Sequence, residues 1–336
     1  MNDGEGAPHR RSKSAALILA GIAVLAASVL VNAPLGAQTY PDRPIKLIVP
    51  SGPGGPTDIA ARLLSQILPK IGQPVVIDNR PGAGGLIAAR IVATSAPDGY
   101  TLLLGNTSVL AVLPAVSTNA GYDPNTHFSA VAKFSESYQI LVVHPAAAVK
   151  TIRELIAHAK ANPGKLNYSQ TGAGGLPHLT GELFKRAAGV DIVGVPYKSG
   201  ADSIIGLLGA QVDMTFESIT VLLPLIREGR LRALAITSRT RTPLADDLPT
   251  MIEAGIPDYE VTTFNGIVAP AGTPEPIVRR LNAIINEGLR MPEMQANIRT
   301  LGAVSNPVSA AEFGAFIVAE ARKWSTVAKA ANVHID

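Results

Sequence analysis

Short apolar runs alternate along the chain with longer segments whose apolar residues recur every three or four positions. The run Ile45–Val49 predicts a buried strand, and residues 57–68, which follow it, have the period of an amphipathic helix. The alternation continues as far as the long helical segment Ala310–Ala330. A regular strand-helix order is typical of parallel sheets that helices cover, so we predict an α/β fold with mostly parallel sheets.

The predicted elements follow one another over most of the chain. Strands are predicted at residues 44–49, 74–78, 101–105, 140–144, 166–169, 190–195, 214–216, 231–237 and 267–269. Helices are predicted at residues 57–68, 84–93, 151–161, 177–188, 202–209, 221–228, 276–290 and 310–330.

Two stretches of the sequence share one order of features. Residues 46–64 (KLIVPSGPGGPTDIAARLL) and 165–184 (KLNYSQTGAGGLPHLTGELF) both run from a Lys-Leu strand through a glycine-rich loop and a proline into a helix. Because proline favours the first position of a helix, we expect Pro56 and Pro177 there, with Gly55 and Leu176 as the N-caps. We expect one such loop in each of two domains.

These loops allow a ligand to approach the backbone closely. The start of a helix leaves about four N–H groups without an acceptor and carries the positive end of the helix dipole. Because the preceding glycines have no side chains, an anion can reach those groups. Two such helix starts that face one cleft can hold a carboxylate without lysine or arginine.

Other interpretations of the glycines fit the residues too. Neither loop has the lysine of a phosphate-binding P-loop. The first loop has two glycines of a dinucleotide-binding fingerprint and Asp78 ends the next strand, but Thr57 replaces the third glycine. Two turns that serve tight packing alone are also possible. A further cluster at residues 79–85 is either another helix-start loop or an ordinary turn.

The N-terminal segment has the pattern of a secretory signal peptide. Residues 9–13 are basic, residues 15–31 form an uncharged apolar run, and Leu35-Gly36-Ala37 provides a small-residue cleavage site. We therefore predict that residues 1–37 are removed on export. A membrane anchor is the alternative, because a run of this length is near the lower limit for a membrane span.

Composition and charge exclude several classes of protein. The 336 residues are 47% hydrophobic and 16% charged, which permits a sizeable core. The net charge of +3 includes no lysine or arginine cluster beyond the N-terminal segment, so nucleic acid is not an expected partner. The chain has no cysteine and no H-E-x-x-H or G-x-S-x-G motif. We expect no metal, no cofactor and no catalytic triad.

Many short motifs, in order, resemble the Bug/TctC family, the periplasmic solute-binding receptors of tripartite tricarboxylate transporters. The resemblance spans residues 40–333. The motifs that carry it are Tyr40-Pro41, Arg43-Pro44-Ile45, Pro53-Gly54-Gly55 with Thr57-Asp58, the run DNRPGAGG at 78–85, APDGYT at 96–101, Tyr122-Asp123-Pro124, NPGKLNY at 162–168, His178-Leu179 with GELF at 181–184, VPYK at 195–198, LRALA at 231–235, APAGTP at 269–274 and Trp324.

The resemblance implies a fold and a function. The implied fold is a type II Venus-flytrap binding protein, with domain 1 at residues 38–138 plus 266–336, domain 2 at 139–265, and hinge crossings near 137–140 and 264–266. The implied function is capture of a small carboxylate in the periplasm, by a monomer, for delivery to membrane permease subunits. A carboxylate sensor that feeds a signalling system is an alternative. An exported α/β enzyme is another, although Asp58, His178 and Glu217 form no obvious acid–base pair.

The resemblance also implies a set of ligand-binding residues. They are Ser51, Gly54, Gly55, Thr57, Asp58, Asn106, Thr107, Ser108, Thr171, Gly172, Gly174, His178, Glu217, Ser218, Phe264 and Asn265. Some of them have structural explanations as well: Asp58 can complement a helix dipole, a neutral His178 can hydrogen-bond across its loop, and Phe264 can belong to the core.

The sequence departs from the family pattern at several of these positions. Pro56 replaces a common Ser or Thr, Gly175-Leu176-Pro177 replaces a run rich in hydroxyls, and Ser51 stands where an aromatic residue is frequent. Glu217-Ser218 stands where the family commonly has Asp-Asn. Fewer hydroxyls suggest a ligand with a less polar distal group, such as an aliphatic or aromatic mono- or dicarboxylate.

Overall fold

The strands and helices alternate as the apolar pattern predicts. The computed structural model describes residues 40–172 and 174–335, so the predicted signal segment 1–37 lies outside the described residues. The strands are β1 (Ile45–Val49), β2 (Val75–Asn79), β3 (Thr101–Asn106), β4 (Phe128–Val143), β5 (Asn167–Thr171), β6 (Val193–Tyr197), β7 (Met214–Ser218), β8 (Arg232–Ile236) and β9 (Thr262–Pro270).

The helices lie between the strands and after the last one. They are α1 (Pro56–Ile67), α2 (Leu86–Ala93), α3 (Leu113–Val116), α4 (Ile152–Ala161), α5 (Leu176–Ala188), α6 (Gly200–Leu208), α7 (Ile219–Arg227), α8 (Glu275–Leu289), α9 (Pro292–Thr300) and α10 (Ala310–Ala330). Short 3-10 turns occur at Leu68–Ile71 and Ala83–Gly85, and Ser108–Val112 forms a turn of π-helix.

The sheet is parallel on its flanks and antiparallel in its centre. The strand order is β2-β1-β3-β9-β4-β7-β5-β6, with β8 paired to β4. The pairs β1–β2, β1–β3, β5–β6 and β5–β7 are parallel, as predicted, whereas all pairs that involve β4 or β9 are antiparallel. The central pair therefore joins two groups of parallel strands.

Strand β4 is much longer than the sequence predicts. Only residues 140–144 were expected as a strand, because the first part of β4 contains charged residues. These residues are paired inside the structure: Lys133 Nζ donates to Glu136 Oε2 at 2.9 Å, and the hydroxyl of Tyr138 donates to Glu136 Oε1 at 3.0 Å. Their pairing lets the strand continue without apolar side chains at every position.

The carboxyl ends of the parallel strands meet from opposite directions at the middle of β4. Strand β3 has the same direction as β4, and β9 lies between them. The last residue of β3, Asn106, is paired with Asn265 of β9, and Asn265 is paired with Ser135 of β4. Strand β7 runs against β4 and ends at Ser218, level with Gln139. The two groups of strand ends are thus about four residues of β4, or ~13 Å, apart. Ligands of open α/β sheets bind in crevices at such strand ends.

Helix α10 packs into two separate groups of buried side chains. Phe313 and Ile317 join the core around β1, β3 and α2. Trp324 and Val327 join the core around β5, β7, α4 and α5. Residues from Arg43 onward form one compact unit, and the domain boundaries given above stay a prediction.

Helix α9 was not predicted, since two helices rather than three were expected after residue 275. It buries only Met294 and Ile298, so its apolar period is too weak to stand out in the sequence. Within residues 40–172 and 174–335, no helix combines the length and apolar character needed to cross a membrane.

Replacement of Trp324 by alanine should destabilise the protein strongly. The indole is fully buried and its Nε1–H donates to Glu320 Oε2 at 3.1 Å. We expect Trp324→Ala to lower the free energy of unfolding by about 3–5 kcal/mol, measured by urea denaturation with circular dichroism. The exposed Lys329→Ala on the same helix is the control, with a change within about 0.5 kcal/mol. Equal stability of the two variants would contradict this packing.

Candidate functional site

The first glycine-rich loop, residues 50–55, connects β1 to α1 at the carboxyl end of the strand. Gly55 is the N-cap of α1, as predicted, and no side chain caps this helix. The Gly55 N–H donates to Gly52 O at 3.2 Å. Gly54 has φ +81°, and a Cβ on it would meet nothing within 4 Å. The outer face of this loop is therefore open.

Asp58 holds the first loop in place. Its side chain is 0% exposed, and its carboxylate accepts hydrogen bonds from the Gly54 N–H (2.9 Å), Asn79 Nδ2 (2.9 Å) and Arg62 Nε (2.8 Å). The Arg62 and Gly54 hydrogen bonds lower the pKa of Asp58 to about 2. The structure thus gives Asp58 a positioning role, and it commits the Gly54 N–H to Asp58.

The second glycine-rich loop, residues 172–175, has the same hydrogen-bond pattern as the first. The Gly175 N–H donates to Gly172 O at 3.1 Å, and the Gly174 N–H donates to His178 Nδ1 at 3.1 Å. Because Nδ1 accepts, His178 is neutral here, and burial lowers its pKa. The predicted resemblance between the two stretches is confirmed at the level of individual bonds, with His178 in the place of Asp58.

The N-cap of α5 differs from the prediction by one residue. Gly175 is the cap, Leu176 is the first helical residue and Pro177 is the second, so the expectation of a Leu176 cap is wrong. Proline lacks an N–H, and it is tolerated at the second helical position as well as at the first, because neither N–H has an acceptor within the helix.

Both helices begin with N–H groups that have no acceptor in the described chain. In α1 these are the N–H groups of Thr57 and Asp58, and in α5 those of Leu176 and His178. The hydroxyl of Ser51 in the first loop also lacks a partner among the described residues. Buried polar groups are nearly always paired, so these atoms are candidates for contact with a ligand.

Polar side chains extend from the first loop across the neighbouring strands. Asn106 Nδ2 donates to the hydroxyl of Thr57 at 3.2 Å. Asn106 is paired with Asn265, whose Nδ2 approaches Ser135 Oγ at 3.5 Å. The sequence-predicted residues Thr57, Asn106 and Asn265 are thus brought together at the carboxyl end of β3, on one side of the gap between the two groups of strand ends (the crevice).

Two predicted site residues, Phe264 and Thr107, are buried in the fold, and a third, Ser108, lies beside the crevice. Phe264 is fully buried and meets Phe313 and Phe316 edge to face. Thr107 is buried, and its hydroxyl accepts the Phe264 N–H at 2.7 Å. Ser108 begins the π-helical turn and its hydroxyl donates to Gly84 O at 3.4 Å. The structure therefore gives Phe264 and Thr107 packing roles.

The remaining predicted residues lie at the ends of β5 and β7. Thr171 ends β5, and Gly172 follows at φ +67° with open space where a Cβ would be. Glu217 and Ser218 end β7, and the Ser218 N–H donates to Glu217 Oε1 at 2.7 Å. Burial raises the pKa of Glu217, and this hydrogen bond offsets part of the rise. No hydrogen bond joins the two glycine-rich loops within the described residues.

Two residues near the crevice were missed from the sequence. Asn79 ends β2 and its Nδ2 lies 2.9 Å from both Ser51 O and Asp58 Oδ1, so it fixes the first loop. A polar residue at the end of a strand parallel to β1 was the available signal. Gln139, at the middle of β4, is buried with its Oε1 unpaired among the described residues.

The described residues contain no group of three or more His, Cys, Asp or Glu side chains placed to hold a metal ion. The polar atoms of the crevice are chiefly backbone N–H groups, hydroxyls and amides. Such donors suit an organic anion better than a metal ion.

Replacement of Asp58 by asparagine should destabilise the protein in a pH-dependent way. The substituted side chain lacks the charge that Arg62 and two N–H donors face, so we expect a loss of about 2–4 kcal/mol near neutral pH. A pKa that is lower in the folded protein stabilises the fold above the ordinary carboxyl pKa, and this stabilisation is lost as pH falls toward about 2. The difference between wild type and Asp58→Asn in chemical denaturation should therefore shrink between about pH 5 and pH 2.

The matched control is Asp78→Asn, because the partner of Asp78 among the described residues is the exposed Arg80. Its effect should stay below about 1 kcal/mol. A pH-independent loss in Asp58→Asn would show that the carboxylate charge does not hold the loop.

Comparison with known proteins identifies a family. The model of the tripartite tricarboxylate transporter family receptor matches residues 59–333. Protein BugT of Bordetella pertussis is 37% identical over 314 residues, which cover 93% of this chain and 96% of that protein.

Two solved structures are similar over most of their length. R. palustris Rpa4515 with adipate is 36% identical with a TM-score of 0.71, covering 88% of this chain and 99% of that one. MatC from Rhodopseudomonas palustris with bound malate is 33% identical with a TM-score of 0.68, covering 86% and 99%. The matching family model is one of receptors, and the protein is a substrate-binding receptor rather than an enzyme. Matched by the family model over most of its sequence, this chain belongs to the tripartite tricarboxylate transporter receptor family and has its α/β two-domain periplasmic binding protein fold.

Proposed function

We propose that this protein captures a small carboxylate in the crevice between the two groups of strand ends and delivers it to the permease subunits of a tripartite tricarboxylate-type transporter. One observation carries the proposal. Helices α1 and α5 each begin at a glycine-rich loop with N–H groups that have no acceptor in the described chain, one on each side of the middle of β4. Family membership and the carboxylates bound by Rpa4515 and MatC support it.

The chemistry of these helix starts fits a carboxylate. A hydrogen bond to a charged acceptor contributes about 1.5–3 kcal/mol, and four such N–H groups are available in α1 and α5. The helix dipoles add favourable electrostatics at the same ends. The open space above Gly54 and Gly172 leaves room for the anion to approach the backbone.

Delivery to a transporter requires the protein to be in the periplasm. We propose that residues 1–37 are removed on export and that the mature chain acts as a monomer. Domain 1 would comprise residues 38–138 plus 266–336 and domain 2 residues 139–265. Closure about the central strands β4 and β9 would bring the two loops to one ligand.

The ligand should bind with its carboxylate at the loops, and the rest of the ligand should be less polar than that of citrate. The test is thermal-shift screening of purified protein against mono-, di- and tricarboxylates. A ligand at about 100 times its dissociation constant stabilises the fold by about 2.7 kcal/mol, a shift of several degrees. We expect shifts with aliphatic or aromatic acids. Tight binding of citrate alone would contradict the less polar ligand, and no shift with any carboxylate would contradict the proposed function.

Side chains placed on the loop glycines should block the site. In Gly54→Leu and Gly172→Leu the new side chain projects into open space at the loop, so we expect the dissociation constant of a bound acid to rise at least ~100-fold by calorimetry, through loss of about two charge-assisted hydrogen bonds. Both positions have positive φ, which costs a leucine about 1–2 kcal/mol of stability.

The control for that backbone strain is Gly189→Leu. Gly189 has φ +62° and equally open surroundings at the end of α5, far along the helix from its loop. This variant should lose similar stability and keep its affinity. Equal affinity in all three variants would place the ligand elsewhere.

A further inference from the structure

Glu217 is a half-buried carboxylate without a cationic partner among the described residues. It ends β7, and its Oε1 accepts the Ser218 N–H at 2.7 Å, while its Oε2 has no hydrogen-bond donor in the described chain. Burial of an unpaired charge is costly, and burial raises the pKa of this carboxyl. An ionisable group in a crevice that is partly buried and has no partner of opposite charge is a candidate for a functional role.

The backbone beside Glu217 leaves room for its side chain. A Cβ on Gly200, the first residue of α6, would lie 2.5 Å from Glu217 Oε2. Any other residue at position 200 would push the carboxylate away. The adjacent Ser199 and Asp202 bond to each other at 2.8 and 3.2 Å, so they do not engage Glu217.

The sheet register places Glu217 beside the start of the second loop. In the parallel pair β5–β7, Ser169 lies level with Thr215, and their hydroxyls are hydrogen-bonded at 2.5 Å. Two residues further along both strands, Thr171 comes level with Glu217 on the same face, at a strand spacing of about 4.8 Å. Gly172 and the helix start of α5 follow Thr171 directly, so Glu217 lies on the strand next to the one that leads into the second loop.

We propose that Glu217 selects the ligand by its far end: it accepts a hydrogen bond from a hydroxyl or ammonium group and repels a second carboxylate. This inference rests on the proposed function, because it requires the first carboxylate to be held at the loops. An ionised carboxylate can only accept hydrogen bonds, and a like charge within a few ångströms in a partly dry crevice is disfavoured. The ligand class is therefore a monocarboxylic acid with an aliphatic or aromatic body and a single terminal hydroxyl or ammonium group, which leaves its remainder less polar than that of a tricarboxylate such as citrate.

The test compares three series of acids that differ only at the far end. Calorimetry with the purified protein measures dissociation constants for ω-hydroxy, ω-amino and dicarboxylic acids of equal chain length. For wild type we expect the dicarboxylate to bind at least about tenfold more weakly than the hydroxy or amino acid of the same length. In Glu217→Gln, which keeps the size and the acceptor for the Ser218 N–H, we expect this ratio to fall to about threefold or less.

A second variant tests the position of the Glu217 carboxylate, and a control tests the effect of net charge. Gly200→Ala displaces the carboxylate without removing it and should lower the same ratio. Glu228→Gln changes the net charge equally at an exposed glutamate that ends α7, and should leave the ratio unchanged.

The outcomes distinguish this inference from the proposed function. If acids bind but Glu217→Gln keeps the wild-type ratio, or if wild type prefers the dicarboxylate, Glu217 does not select the far end and the proposed function stands. If no acid of these series and no carboxylate of the thermal-shift panel binds to wild type, both are overturned.

Discussion

Backbone N–H groups that are left without an acceptor are the constraint on which the site depends. In helices α4 and α10, the side chains of the N-cap residues Thr151 and Ser309 each accept a hydrogen bond from the N–H of the third helical residue. Helices α1 and α5 begin instead at Gly55 and Gly175, which have no side chain to offer. A glycine at the N-cap costs roughly a few tenths of a kcal/mol relative to a serine or threonine, so these two helix starts leave their N–H groups uncapped with little loss of stability. Under the proposed function, these N–H groups hold the carboxylate.

The two loops reach the same geometry with different chemistry. Asp58 and His178 occupy matching places and each accepts an N–H from its own loop, but one is a carboxylate and the other a neutral imidazole. Arg62 neutralises Asp58 from the opposite side, so the first loop presents little net negative charge to an approaching anion. Among the described residues at the strand ends, Glu217 is a carboxylate without a cationic partner, which is why we propose it as the source of discrimination between acids.

Local patterns in the sequence predicted most of the elements, the glycine loops and the family resemblance. They failed where long-range pairing decides the structure. The first half of β4 looks too polar for a central strand. The hydrogen-bond partners of its Glu136 are Tyr138, two positions further along the strand, and Asn306, which is remote in the sequence, so local patterns do not show this pairing. Helix α9 buries too few apolar residues to show a period. The sequence left both a ligand contact and a structural explanation open for Asp58 and Phe264. The packed structure ties Asp58 to its loop and packs Phe264 into the core.

Helix α10 has a consequence for the order in which the chain can fold. Its first half completes the core that contains Phe264, and its second half completes the core that contains Phe184. Neither core has its final helix until residues 310–330 have been synthesised. Strands β4 and β9 also pair across more than a hundred residues of chain, which adds a slow loop-closure step. We therefore expect the nascent protein to stay incompletely folded until late in translation, because one C-terminal helix completes both cores.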